Sequence, residues 1–155
     1  WRVARIVAFL DPYKYSDDEA YQVVQSLYAI GSGGIFGEGF AKGTQKLFYL
    51  PYPYSDFIFS VVGEELGLVG TLAIVAAFGL LLWRGTKAAL TAPDRFGTLL
   101  GIGLITGIIA QALFNISVVI SILPAKGIPL PFISYGGSSV LVTLIGVGIL
   151  LSIAR

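Results

Sequence analysis

From Leu66 to Trp83 the chain carries no charged residue. A helix needs about 20 apolar residues to cross the hydrocarbon core of a bilayer, and only helices and closed barrels cross it with every backbone group satisfied. Two further apolar runs follow, from about Phe96 to Leu123 and from about Ser138 to Ile153. The last is short and borrows length from Ile133-Ser134-Tyr135. The expectation is an all-α, polytopic membrane bundle with spans at about 57–83, 96–123 and 134–153. Composition agrees, since only 12% of the 155 residues are charged and mean hydropathy is +0.84, against about 25% charged residues in soluble domains.

The same composition removes whole classes of function. A net charge of +1 makes no electrostatic case for nucleic acid. Cys and His are both absent, which excludes disulfides, thiol catalysis and a Ser-His-Asp triad. No zinc, haem or nucleotide cofactor is expected. Acid–base work falls to carboxylates, lysine or tyrosine. The opening Trp1-Arg2-Val3-Ala4-Arg5, without an initiating Met, reads as a fragment whose upstream half is missing, and no signal peptide is visible.

Charge placement orients the spans. The connection from Arg84 to Arg95 carries Arg84, Lys87 and Arg95, and Arg155 falls on the same side, whereas the loop Pro124 to Pro131 carries only Lys126. The positive-inside rule puts the first group in the cytoplasm, so residues 1–56 and 124–133 face outward. Within 1–56, Ser16 and Glu19 fit a capping box, with Asp17 and Asp18 suited to a helix N-terminus. The helix they start continues through Leu27 and stops at Gly31. The glycine-rich Gly31–Gly39 segment matches neither phosphate-loop pattern. Phe36 stands where G-x-G-x-x-G needs its last glycine, and Lys42-Gly43-Thr44 inverts the Walker order. It reads as a structural turn whose amides could still cradle a pyrophosphate.

The hexad Tyr54-Ser55-Asp56-Phe57-Ile58-Phe59 sets an aspartate at the threshold of the first span. Counted at 100° per residue from Asp56, residues Ser60, Gly63, Gly67 and Gly70 fall within about 40° of one face. Such small-residue stripes let membrane helices approach closely. Asp56 is then either a site residue on a packed face or, with Ser55, the N-cap of the helix. Glu64 lies to one side and Glu65 nearly opposite. In the second span Gly103, Gly107, Gln111 and Asn115 recur every fourth residue, as packing glue or as the lining of a polar cavity leading to Asp56. The loop Pro124–Ser139 is rich in Pro and Gly and reads as a re-entrant segment. Its Lys126 either snorkels to the interface or pairs with phosphate.

Several long motifs occur together in one order: Gln25-Ser26-Leu27, Gly31-Ser32-Gly33-Gly34, Phe36-Gly37, Gln45-Lys46, Tyr49-Leu50-Pro51, Asp56-Phe57-Ile58-Phe59, Gly63-Glu64-Glu65-Leu66-Gly67, and the block from Leu130 to Ser139. In these the chain resembles the SEDS family of shape, elongation, division and sporulation proteins. Phe9-Leu10-Asp11-Pro12 and Ser134-Tyr135-Gly136-Gly137-Ser138-Ser139 are most similar to its division-type members. The resemblance covers essentially all of the chain. It implies a fold of roughly ten membrane helices, of which this chain is the large outer loop and the last three.

The resemblance also implies a peptidoglycan glycosyltransferase at the outer face of the bacterial cytoplasmic membrane. It would polymerise lipid II with a class B penicillin-binding protein as partner. Asp56 matches the family's essential aspartate and would be the general base of one inverting displacement. Lys126, Lys46, Gln45, Ser134, Tyr135, Ser138, Gln111 and Asn115 become substrate-binding candidates, supported by Ser55, Glu64 and Glu65. The leaving pyrophosphate would be stabilised by Lys126, Lys46 or a divalent cation, Mg or Mn, with Asp56 a possible ligand. Tyr52 replaces the glutamate usual in the family just before the aspartate, while Ser55 keeps the hydroxyl of the usual threonine. The alternative function is a transporter (flippase) of the lipid-linked precursor, or a non-catalytic scaffold of the division machinery.

Overall fold

The structure is a computed structural model that describes residues 21–39, 56–124 and 127–154. The capping box at Ser16–Glu19, the pair Gln45 and Lys46, Tyr52, Ser55, Lys126 and Arg155 lie outside the described residues. Among the described residues the regular structure is four helices: α1 (Tyr21–Gly33), α2 (Ile58–Leu90), α3 (Arg95–Val119) and α4 (Gly137–Ile153). Both α2 and α3 are long and apolar enough to cross a membrane, and α4 is apolar but shorter. α2 is the hub, packed most extensively against α3 and α1.

Helix boundaries differ from the sequence reading for identifiable reasons. α1 passes Gly31 because Ser32 stays helical, its Oγ donating to Ala29 O at 2.9 Å. The stop comes at Gly34, whose φ of +54° supplies the left-handed residue of a C-terminal turn. α2 runs beyond Trp83 to Leu90, since Lys87, Ala88 and Ala89 are good helix formers. The expected loop from Arg84 to Arg95 therefore shrinks to 91–94, where Pro93 forbids continuation. Arg84 lies over the Trp83 ring, 5.3 Å from its centroid. α4 does not borrow Ile133-Ser134-Tyr135 as helix; it begins at Gly137.

α2 is not one continuous helix. Gly67 sits at φ 65°, ψ −157°, which breaks it in two. That region of backbone space is open essentially to glycine alone. A break inside an apolar helix strands carbonyls before it and amides after it. The 34–39 segment meets both sets: Glu38 N donates to Glu64 O at 2.9 Å, Gly39 N to Glu65 O at 3.1 Å, and Leu68 N to Gly34 O at 3.0 Å. Close approach is possible only because glycines face each other. A side chain on Gly33 would strike Gly63 O, and one on Gly37 would strike Glu65 O. The glycine-rich segment is thus a plug for a broken helix. The amides of Gly37, Glu38 and Gly39 are engaged in this repair.

The two small-residue stripes have different fates. Ser60, Gly63, Gly67 and Gly70 are all buried, as their mixed spacing of three and four residues requires. On α3, Gly103 and Gly107 meet no neighbour within 4 Å. A strict four-residue repeat drifts about 40° per step, so Gly103 lies about 120° around from Asn115. The buried face of α3 is instead Gly97, Gly101, Ile105, Ile108, Ala112, Asn115 and Val119. At one end of the bundle a side chain on Gly101 would meet Ala89 Cβ at 2.7 Å, and one on Gly85 would meet Ile105 Cδ1 at 2.7 Å. At the other end Ala29, Phe57, Phe59, Ala112, Val119 and Leu130 form the apolar core.

A test follows from the break. Gly67→Ala should lower the unfolding midpoint of the full-length protein in detergent by several degrees, because a Cβ there would lie 2.6 Å from Ile35 O and the backbone strain costs about 1–3 kcal/mol. Gly79→Ala, in open space on the same helix, should be neutral or stabilise slightly, as alanine is the better helix former. Equal effects of the two substitutions would contradict the plugged break.

Candidate functional site

The N-terminus of α2 is built without a side-chain cap. Phe57 holds the cap position, at φ −113° and ψ 22°, with no side-chain cap hydrogen bond. Its carbonyl accepts from Ser60 N at 3.0 Å and from Val61 N at 3.4 Å. Ser60 adds a second donor, Oγ to Phe57 O at 2.7 Å. Asp56 is therefore not the cap: its carboxylate makes no hydrogen bond among the described residues. Phe57 and Phe59, which follow it, are buried in the core, so a partly exposed aspartate stands at the edge of a rigid apolar footing.

Opposite it runs the non-helical segment 127–130. An ideal Cβ on Gly127 would lie 3.0 Å from Asp56 Oδ2, so the glycine lets this backbone reach the carboxylate. Asn115 Nδ2 donates to Ile128 O at 2.7 Å and to Asp56 O at 2.8 Å. One turn back, Gln111 Nε2 donates to Pro129 O at 2.8 Å. Further on, Leu130 N donates to Ser134 Oγ at 2.7 Å and Ser134 N to Leu130 O at 3.1 Å. Non-helical chain among membrane-type helices needs such partners. Phe132, at φ +67°, continues this turn in a conformation that side chains other than glycine rarely adopt.

The candidates from the sequence thus fall into groups. Asp56, Gln111, Asn115 and Ser134 are brought to one end of the bundle, but the last three hold backbone there. Tyr135 and Ser138 are exposed next to them. Glu64 and Glu65 are buried at the Gly67 break, two turns and more along α2 from Asp56. Lys46, Gln45, Ser55 and Lys126 lie outside the described residues, although Gly127, the neighbour of Lys126, is at the carboxylate. Gly127 and the carbonyls of Ile128 and Pro129 were not singled out from sequence. The one available signal was a glycine between a lysine and a proline-rich stretch, because a carbonyl acceptor has no signature in sequence.

A cleft of about 910 Å³ is lined by Ile58, Ser134, Tyr135, Val140, Leu144 and Ile145 among others. Its walls are hydrocarbon, and its hydroxyls come from Ser134 and Tyr135. Ile58, two residues from Asp56, forms part of the wall. The trough is apolar and open along α4, and Ile58 is its wall residue nearest in sequence to Asp56.

Comparison with known proteins gives this geometry a context. The profile of a family described as cell cycle protein, FtsW/RodA/SpoVE, matches residues 1–155. The chain is similar to stage V sporulation protein E of Bacillus subtilis, 46% identical over 155 residues, which are 100% of this chain and 42% of that protein. It is likewise similar to the probable peptidoglycan glycosyltransferase FtsW of Geobacter metallireducens, 50% identical over 154 residues, or 99% of this chain and 41% of that one. Among solved structures it resembles a chain of a peptidoglycan synthase complex reported as coordinating polymerization and crosslinking, with TM-score 0.80 at 32% identity, covering 98% of this chain and 41% of that chain. It also resembles a mutant of the rod shape determining protein RodA of Thermus thermophilus, with TM-score 0.65 at 35% identity, over 84% of this chain and 39% of that chain. The chain spans about two fifths of the length of these relatives. With a family profile matched from end to end and an all-helical membrane architecture shared with these structures, the chain belongs to the FtsW, RodA and SpoVE family of cell cycle proteins.

Proposed function

We propose that this chain forms the catalytic end of a peptidoglycan glycosyltransferase that polymerises lipid II, with Asp56 as general base. The observation that carries the reading is the state of Asp56. It is an acidic side chain with no hydrogen bond among the described residues, on a seat fixed by Phe57, Phe59 and Asn115. An ionisable group at such a margin of an apolar bundle is expensive unless it has work to do. The relatives named as peptidoglycan glycosyltransferases supply the reaction class.

The chemistry assigns each part a task. The acceptor's sugar hydroxyl gives its proton to an Asp56 carboxylate oxygen as its own oxygen bonds to the donor's anomeric carbon. The bond from that carbon to the pyrophosphate breaks in the same displacement, and the pyrophosphate leaves with the bonding pair. A single displacement inverts the anomeric centre, as an α-linked donor and a β-linked product demand. General-base catalysis of this kind contributes about 10²–10⁴-fold. The apolar cleft beside Ile58 suits the polyprenyl chain of the lipid-linked sugar. Lys126, next to Gly127, is placed in sequence to meet the pyrophosphate. Among the described residues no three Asp, Glu, His or Cys side chains come together as metal ligands.

Orientation and partner belong to the same proposal. Arg84, Lys87 and Arg95 mark the end of the bundle opposite Asp56, so the positive-inside rule turns the aspartate toward the extracytoplasmic face. The multi-pass protein would sit in the bacterial cytoplasmic membrane and work with a class B penicillin-binding protein. The similar chain in a peptidoglycan synthase complex that coordinates polymerization and crosslinking supports a partner of that kind.

Asp56→Ala and Asp56→Asn in the full-length protein should each lower glycan polymerisation from purified lipid II by at least about 100-fold. The unfolding midpoint should hold, because the carboxylate makes no hydrogen bond among the described residues. Polymerisation at the normal rate by Asp56→Ala would remove the base assignment; a wild type that moves lipid II across vesicles without making glycan would establish the transporter instead. Gly127→Ala should slow turnover by about tenfold, since the added methyl sits 3.0 Å from Asp56 Oδ2 and small displacements of a catalytic group are costly. A wild-type rate for Gly127→Ala would place the working carboxylate away from this segment.

A further inference from the structure

We propose that Asn115 is the positioning residue of the Asp56 site, its single amide group fixing the aspartate against the 127–130 segment; the inference rests on the general-base reading above. Asp56 precedes Phe57, the cap residue of α2, whose carbonyl takes the first amides of the helix, those of Ser60 and Val61. The Asp56 carbonyl therefore lies outside the helix ladder, and Asn115 Nδ2 donates to it at 2.8 Å. The same nitrogen holds Ile128 O at 2.7 Å. One side chain of α3 therefore joins two stretches of chain that are 59 and 13 residues away from it in sequence.

The chemistry at this point is selective. Both partners are carbonyl oxygens, so only a nitrogen with two hydrogens serves them together, and the orientation of the amide follows from its acceptors. Asn115 is 2% exposed, and its Oδ1 makes no hydrogen bond among the described residues. The side chain is held by its donors alone. Gln111 extends the clamp to Pro129 O at 2.8 Å but does not touch Asp56. It is therefore the internal comparison: it secures the segment without aiming the aspartate. Because Gly127 immediately precedes the clamped carbonyls, its approach to Asp56 Oδ2 is set by Asn115.

The experiment compares Asn115→Leu, Asn115→Asp and Gln111→Leu in the full-length protein with its partner. Asn115→Asp keeps the shape of the side chain but turns an acceptor toward two carbonyls, and it stands in should Asn115→Leu fail to fold. With lipid II as substrate, kcat should fall by about 30–100-fold in both Asn115 variants, the range expected when a catalytic group is displaced by about 1 Å. KM should change less than about threefold, as for an interaction realised in the transition state. Gln111→Leu should lose less than about fivefold in kcat, in keeping with contacts outside the reacting group.

A second arm needs no catalysis. These 155 residues hold no cysteine, so with any cysteine elsewhere in the full-length protein replaced, an Asp56→Cys/Gly127→Cys pair reports their proximity by disulfide formation under mild oxidant. Adding Asn115→Asp should slow that cross-link by at least about tenfold, as expected when the sulfurs no longer meet in bonding geometry. A cross-link rate unchanged by loss of Asn115, or a kcat unchanged in both Asn115 variants, overturns the proposal. If the wild type makes no glycan, the general-base reading fails, and the cross-link alone then decides whether Asn115 holds these segments together.

Discussion

The constraint on which this structure depends is the satisfaction of backbone polar groups where chain leaves the helix among apolar neighbours. Each unpaired amide or carbonyl there costs several kcal/mol, about as much as a whole hydrophobic side chain contributes. The fold breaks helical pairing at two places and repairs both with other parts of the chain. At Gly67 the repair comes from the 34–39 segment, strand-like in its exchange of bonds with Glu64, Glu65, Leu68 and Val69. At 127–134 it comes from side chains, namely Gln111, Asn115 and Ser134. The first repair places α1 against α2; the second places a loop against Asp56.

These repairs explain why the glycines and amides lie where they do. Gly33, Gly37, Gly63 and Gly67 cluster because backbone has to touch backbone, and any Cβ at Gly33 or Gly37 would enter a carbonyl. Gln111 and Asn115 are one turn apart because the carbonyls of Ile128 and Pro129 are consecutive. Ser26 plays a smaller part of the same kind, its Oγ lying 3.0 Å from Val119 O at the end of α3. Asn115, Gln111 and Ser134 thus hold irregular backbone, while Ser60, Thr71 and Thr143 bond carbonyls of their own helices.

Much of the fold could be read from sequence, and its failures have a common cause. Apolar runs announced α2, α3 and α4, and the mixed three-and-four spacing of Ser60, Gly63, Gly67 and Gly70 correctly marked a buried face. The even spacing of Gly103, Gly107, Gln111 and Asn115 misled, because four-residue steps wind around a helix of 3.6 residues per turn. The break at Gly67 was invisible for another reason. A single glycine in an apolar run looks like packing, and only its partner segment, some 30 residues earlier, makes a break affordable. Asp56 stood out as an acidic residue at an apolar threshold. Gly127 did not, because its part in the site is the absence of a side chain.

The three carboxylates of this region show how burial divides labour among similar groups. Glu64 is fully buried and Glu65 nearly so, both at the helix break, where their carbonyls also receive the plug. A group enclosed there can shape the bundle but is closed off from any ligand at the surface, whereas a general base must come within about 2.6–3.2 Å of the proton it takes. Asp56 differs in each respect. Its backbone carbonyl is held by Asn115, the phenylalanines that follow it are buried, and its carboxylate makes no hydrogen bond among the described residues. Rigidity in the main chain and availability in the side chain are what a general base requires, since misplacement by about 1 Å can cost about two orders of magnitude in rate. Among the three, only Asp56 combines them.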